Sequence, residues 1–244
     1  MKTKHEFRIQ FLIGILAVGL LYLNSQAQAA LVVNRSIITF DDPTVNREDV
    51  IVINSSEDEN LFVEVTPFRV VNPGTEDQQL EPLLVDDNPE FLVTPNRLIT
   101  APGGRSTVRF LNLQGAGAEE RVYRVNMVPI TPPLELEGQN QETVQSRLEV
   151  VVAYQVLVII PPENPSAMMN LERDGRVAVF SNTGNANYLL TDGEQCDPFD
   201  DNTCIALEDR RIYPGNRWTI ELPFDGPFTY KIRTQDGLVS EYFR

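Results

Sequence analysis

The chain has 244 residues, 42% of them hydrophobic, and a formal net charge of −15. So acidic a surface argues against nucleic acid or anionic lipid as a partner, because affinity for phosphate comes from displayed Lys and Arg. The only histidine, His5, falls in a segment expected to be removed on export. The mature chain would then have no imidazole for acid–base work, a Ser-His-Asp arrangement or a metal.

A basic start (Lys2, Lys4, Arg8), an apolar run from Phe11 to Leu23 and the small-residue site Ala27-Gln28-Ala29 read as a signal peptide over residues 1–29. The alternative, an uncleaved anchor, fits less well, since the run is shorter than the about 20 residues that span a bilayer. The leader holds three cations and Glu6, so its loss takes the net charge from −15 to −17. No later stretch is comparable. Val150 to Ile160 is β-branched, contains Gln155 and stops at Pro161, so no membrane insertion is expected after cleavage. Lys231 is the sole mature lysine, and any cationic anchor should be an arginine, whose fork suits a carboxylate.

Past the leader, segments rich in Val, Ile, Phe, Tyr and Thr alternate with period two and predict strands at Leu31 to Phe40, Val50 to Asn54, Leu61 to Val70, Thr107 to Leu113, Arg121 to Val128 and Val144 to Ile160. Turn chemistry separates them at Asp41-Asp42-Pro43, Asn54-Ser55-Ser56-Glu57-Asp58, Asn72-Pro73-Gly74 and Pro102-Gly103-Gly104. The run Pro161-Pro162-Glu163-Asn164-Pro165 reads as an elbow between a domain over 30–160 and a second over 166–244. Shorter strands follow at Val177 to Ser181, Tyr188 to Leu190, Thr219 to Leu222, Thr229 to Arg233 and Leu238 to Phe243. The expected fold is all-β: two immunoglobulin-like sandwiches.

Cys196 and Cys204 form an even pair at short spacing in a chain bound for an oxidising compartment, and predict a local disulfide closing a solvated hairpin tip. A calcium reading of Asp192, Glu194, Asp197, Asp200 and Asp201 is weaker, because the alternating spacing of an EF-hand loop is missing and Pro198 interrupts the run. No cofactor is expected. Exported glycoside chemistry on paired carboxylates would need no histidine, yet the acids sit in turn-like stretches such as Glu57-Asp58-Glu59, where a solvated loop is the plain reading. The chain reads as a binding protein, not an enzyme.

The stretch before the elbow stands out. Leu148, Val150, Val152 and Tyr154 share one face, with Arg147 and Glu149 on the other. Each valine alone is an ordinary core residue; as an exposed edge, the set would be an aggregation hazard unless it serves to add a strand to a partner.

These patterns resemble the periplasmic pilus-assembly chaperones of the chaperone-usher pathway, the PapD-like family. Asn34-Arg35-Ser36-Ile37-Ile38-Thr39-Phe40-Asp41 looks like the family's first strand. Thr94-Pro95-Asn96-Arg97-Leu98, Ala101-Pro102-Gly103-Gly104 and Val108-Arg109-Phe110 are similar to its "P-x-x-L-x-P-G-x-x-x-x-V-R" stretch, and Glu120 to Asn126 with Pro129 to its "E-x-x-Y" strand. The resemblance implies two immunoglobulin-like domains in an L, a donor strand lending Leu148, Val150, Val152 and Tyr154 to a pilus subunit that lacks its last strand, delivery to an outer-membrane usher, and residence in the periplasm.

Departures from the family mark a divergent branch, of the archaic or alternative type; one is the acidic balance, since many members are basic. Ile37 and Val156 stand where better-known members carry a basic pair that anchors the subunit's terminal carboxylate, leaving Arg35 as substitute candidate, with Arg109, Arg124 and Arg147 weaker. Ile160 replaces the arginine that bridges acids matching Glu120 and Asp236 between the domains. The alternative function is a secreted immunoglobulin-like structural or adhesive module. An unloaded donor edge also raises self-association.

Overall fold

The computed structural model describes residues 30–42, 44–83, 89–130 and 152–244. The leader, and Leu148 and Val150 of the donor reading, lie outside the described residues. Among these residues there is no helix. Eighteen strands form four sheets.

The first domain is a sandwich. One sheet runs in the order β1 (Leu31–Val33), β3 (Arg47–Asn54), β8 (Arg105–Asn112), β6 (Phe91–Thr94). The other runs β2 (Ile37–Thr39), β10 (Tyr154–Ile160), β9 (Arg121–Pro129), β4 (Leu61–Val71), β5 (Gln79–Pro82), with β7 (Arg97–Thr100) also on β4. Alternation explains the core: Val50 and Val52, Val63 and Val65, Val108 and Phe110, Tyr123, Val125 and Met127 face inward from successive strands. Phe91 stacks on Tyr123 at 4.4 Å between ring centres.

The expected single strand Leu31 to Phe40 is instead two strands in different sheets. Asn34 explains the break. Its backbone N–H donates to Ile51 O at 3.1 Å while its side-chain Oδ1 accepts from Ile51 N–H at 2.8 Å. The chain is held to β3 at that point and then crosses to pair in parallel with β10.

The second domain packs a three-stranded sheet, β11 (Met169–Asp174), β12 (Val177–Asn182), β16 (Arg217–Glu221), on a sheet ordered β14 (Asp200–Leu207), β13 (Tyr188–Asp197), β17 (Phe228–Thr234), β18 (Gly237–Phe243), with β15 (Arg210–Ile212) also on β13. Phe180 sits at its centre among Trp218, Phe228, Tyr230 and Phe243. The cysteine pair is a disulfide across β13 and β14, opposite one another at the root of the Pro198-Phe199 turn.

A buried asparagine ends one strand in each domain and does the same job in both. Asn54 donates from Nδ2 to the carbonyls of Glu59 and Thr100 and accepts from Ser56 N–H. Asn182 donates to the carbonyls of Ala186 and Ile212 and accepts from Gly184 N–H. Each ties loop backbone to the end of a neighbouring strand, Thr100 of β7 for Asn54 and Ile212 of β15 for Asn182, and so satisfies buried backbone groups.

Candidate functional site

Two features compose the candidate site: the open end of β10, and the cleft where the domains meet. Along Tyr154–Ile160, β10 pairs antiparallel with β9 throughout, but β2 flanks its other side only from Leu157 to Ile159. Among the described residues, Tyr154, Gln155 and Val156 are therefore a sheet edge. Val156, Val158 and Ile160 point into the first domain's core, and Tyr154 packs against it. Val152, of the same parity, lies beyond the strand and is 38% exposed. The long strand expected from Val144 to Ile160 is thus seen as a strand only over Tyr154–Ile160, the part before residue 152 lying outside the described residues.

The other face of β10 builds the domain junction. Leu157 and Ile159 cluster with Val70 and Val122 around Tyr213 of the second domain, all buried. Gly74 passes under that ring so closely that a Cβ there would sit 2.8 Å from Tyr213 Cδ2. Asn216 Nδ2 donates to Pro73 O at 2.7 Å.

Glu120 also crosses the junction, by a route the sequence did not indicate. Its Oε2 accepts from Asn187 N–H at 3.0 Å and from Asn187 Nδ2 at 2.6 Å, and Arg211 donates to Asn187 Oδ1. Asn187 thus ties Glu120 to the second domain with no arginine at residue 160. Asp236 takes no part: it sits in the β17–β18 turn, where its N–H donates to Thr234 Oγ1. Burial raises the Glu120 carboxyl above its ordinary range, against the hydrogen bonds from Asn187 and the charge of Arg211. Burial also lowers Arg211, and the neighbouring guanidiniums of Arg124 and Arg233 push the same way.

Above this contact lies a cleft of about 400 Å³, lined from the first domain by Ile37, Thr39, Asp41 and Ile159 and from the second by Arg211 and Arg233 among others. Ile37 is 50% exposed there, at the position where the resemblance expects a cation. Arg233 is exposed, and its guanidinium makes no hydrogen bond or ion pair among the described residues; the guanidinium of Arg124 is likewise without one. Arg35 is placed elsewhere: it is ion-paired to Glu48 and donates to Asp49 O. Arg109 is held by Asp49 at 3.0 Å. Arg147 lies outside the described residues. The sequence missed Arg211 and Arg233 because they come from separate strands; only the alternation that turns them to one face of β15 and β17 hinted at them.

The acids weighed for calcium are engaged separately. Asp192 pairs with Lys231 at 3.0 Å, and Asp197 accepts from Phe199 N–H. Glu194 lies close to both cysteines, whose sulfurs are spent in the disulfide.

No protein-family model matches the chain. It is 25% identical over 176 residues to a CS1 fimbrial protein of Escherichia coli, covering 69% of this chain and 71% of that one. Among solved structures it is similar to the class 5 fimbriae chaperone CfaA, with 18% identity, a TM-score of 0.58 and coverage of 88% of this chain and 99% of that one. A chain in the complex of Salmonella enterica SafA pilin with the SafB chaperone matches at 14% identity and a TM-score of 0.60, covering 90% of this chain and 97% of that one. The chain has the two-domain, immunoglobulin-like fold of the chaperone-usher pilus chaperones.

Proposed function

We propose that this protein is a periplasmic chaperone, not an enzyme, that binds pilus subunits by donor-strand complementation and passes them to an outer-membrane usher. The observation that carries the reading is the edge on β10. Among the described residues the strand is open on one side at Tyr154–Val156, and the sequence leads into that edge through Leu148, Val150 and Val152 at matching parity. A pilus subunit lacking a strand gains ladder hydrogen bonds and a filled groove by pairing there. The relatives come from fimbrial systems, and two are from chaperone structures; nothing in the structure favours an adhesive module over this.

The cleft supplies what a pilus subunit's terminal carboxylate requires. Arg233 presents an uncommitted guanidinium beside Arg211, and a fork of this kind binds a carboxylate bidentately. Arg35 remains an alternative anchor, at the cost of displacing Glu48. The divergent branch follows from Ile37 and Val156, since here the cations come from the second domain.

The test is periplasmic co-expression with a pilus subunit. The wild type should yield a one-to-one complex. Val150→Arg and Val152→Asp should leave this protein folded and abolish recovery of the pilus subunit. Undiminished recovery with both variants would overturn the donor reading.

A further inference from the structure

Strand β18 is the least defended edge in the second domain. Among the described residues it pairs only with β17, and six of its seven residues are exposed. Edge strands are ordinarily blunted by charge or proline. β11 carries Glu172, Arg173 and Asp174, and β16 carries Arg217 and Glu221, whereas β18 holds Glu241 alone between Gly237 and Phe243. Leu238, Val239 and Tyr242 are 48%, 57% and 58% exposed. Val239 lies opposite Ile232, a core residue, yet nothing among the described residues covers it.

The geometry fixes what kind of strand fits. The turn at Gln235-Asp236 closes on the pair Thr234–Gly237. Alternation from that pair sends the backbone N–H and C=O of Leu238, Ser240 and Tyr242 away from β17. A second copy joining antiparallel about a two-fold axis must set one residue opposite itself. Centred on Ser240, an outward-bonding residue, Leu238 faces Tyr242 of the second copy, and Asp236, in the turn just before β18, comes within reach of the long side chain of Arg244, just after it. Both pairs occur twice by symmetry. Asp236 and Arg244 are exposed and carry no ion pair among the described residues, Arg244 resting over the Tyr242 ring at 5.8 Å. Centring on Glu241 would instead oppose two carboxylates.

We propose that β18 pairs antiparallel with β18 of a second copy of this chain, centred on Ser240, joining two sheets into one across the dimer. This dimer is independent of the donor edge and leaves β10 open. The test is sedimentation equilibrium of the oxidised mature chain from about 1 to about 200 µM at roughly 0.15 M salt, where like-charged copies are screened beyond about 8 Å. A concentration-dependent dimer is expected. Asp236→Arg sets arginine against arginine twice and should weaken the dimer about tenfold or more, while Asp236→Arg combined with Arg244→Asp should restore it. These side chains are exposed, and circular dichroism should confirm an unchanged fold. A monomer throughout the range, a dimer indifferent to Asp236→Arg, or one abolished by Val152→Asp with the β18 variants silent would each overturn the proposal.

Discussion

Glu120 Oε2 accepts two hydrogen bonds from one residue of the other domain, the backbone N–H and side-chain amide of Asn187. Its second oxygen, Oε1, is buried without a hydrogen bond. The domain angle therefore rests on a carboxylate that is half satisfied, packed beside the apolar cluster around Tyr213.

A pH dependence follows. Burial raises the Glu120 carboxyl, so between its unfolded and folded values the folded chain binds more protons than the unfolded one. Stability from this group then falls as pH rises through a window opening near the ordinary glutamate value of about 4.3. Glu120→Gln keeps one acceptor for Asn187 and removes the titration, and should flatten that part of a melting-temperature profile. Glu120→Ala leaves both Asn187 donors unpaired and should cost about 2–3 kcal/mol, with a broadened domain angle in small-angle scattering. An unchanged slope in Glu120→Gln would assign the pH dependence elsewhere.

The two strand-ending asparagines give matched predictions. Asn54 and Asn182 are essentially without solvent contact; Asn54 ties three backbone groups and Asn182 four, Met168 N–H being the fourth. Asn54→Ala and Asn182→Ala should each destabilise by roughly 2–4 kcal/mol in urea denaturation, since buried donors and acceptors are stranded. Losses well below 1 kcal/mol would mean that water substitutes for the amides.

The strands that bury a valine or aromatic at every second position, such as β3, β4, β8, β9, β12 and β17, were legible from alternation alone. Those that were not carry their information elsewhere. β11, with the sequence Met-Asn-Leu-Glu-Arg-Asp, and β14, opening on Asp200-Asp201, are charged edges with little apolar signal. The division between β1 and β2 depends on Asn34 meeting Ile51, a contact seventeen residues away in sequence. The disulfide hairpin was readable because its two cysteines are near neighbours, and the Asn187 and Arg211 contacts were not, because they exist only once two domains meet.

Close backbone approach makes one glycine irreplaceable. A Cβ at Gly184 would collide with Ser166 O and lie 2.7 Å from Met168 N, both backbone atoms of the segment leaving the elbow. That segment is also tied by Thr183 N–H to Met168 O and Asn185 N–H to Ser166 O, both at 2.9 Å. Gly184→Ala should cost about 3 kcal/mol or more, because backbone held by its own hydrogen bonds cannot move aside. Gly103→Ala, at φ 63° with open space around it, should cost only about 1 kcal/mol through its left-handed backbone. Equal losses in thermal melts would contradict the steric argument.

The cleft arginines divide into one that holds the domains and one that is free to bind. Arg211 donates to Asn187 at the junction and is depressed by burial and by Arg124 and Arg233, so Arg211→Ala should lower both stability and affinity for pilus subunits. Arg233 is exposed and has no ion pair among the described residues. Its removal should leave stability within about 0.5 kcal/mol of wild type and weaken binding of a pilus subunit with a free carboxyl terminus by roughly tenfold, since a charge-assisted fork contributes on the order of 1.5–3 kcal/mol. Arg35→Ala breaks a half-exposed pair with Glu48, worth at most about 1 kcal/mol, and should change binding less. Calorimetric titration of each variant with the C-terminal peptide of a pilus subunit distinguishes the two anchors. A larger loss from Arg35→Ala than from Arg233→Ala would move the carboxylate from the second domain's side of the cleft to the first strand.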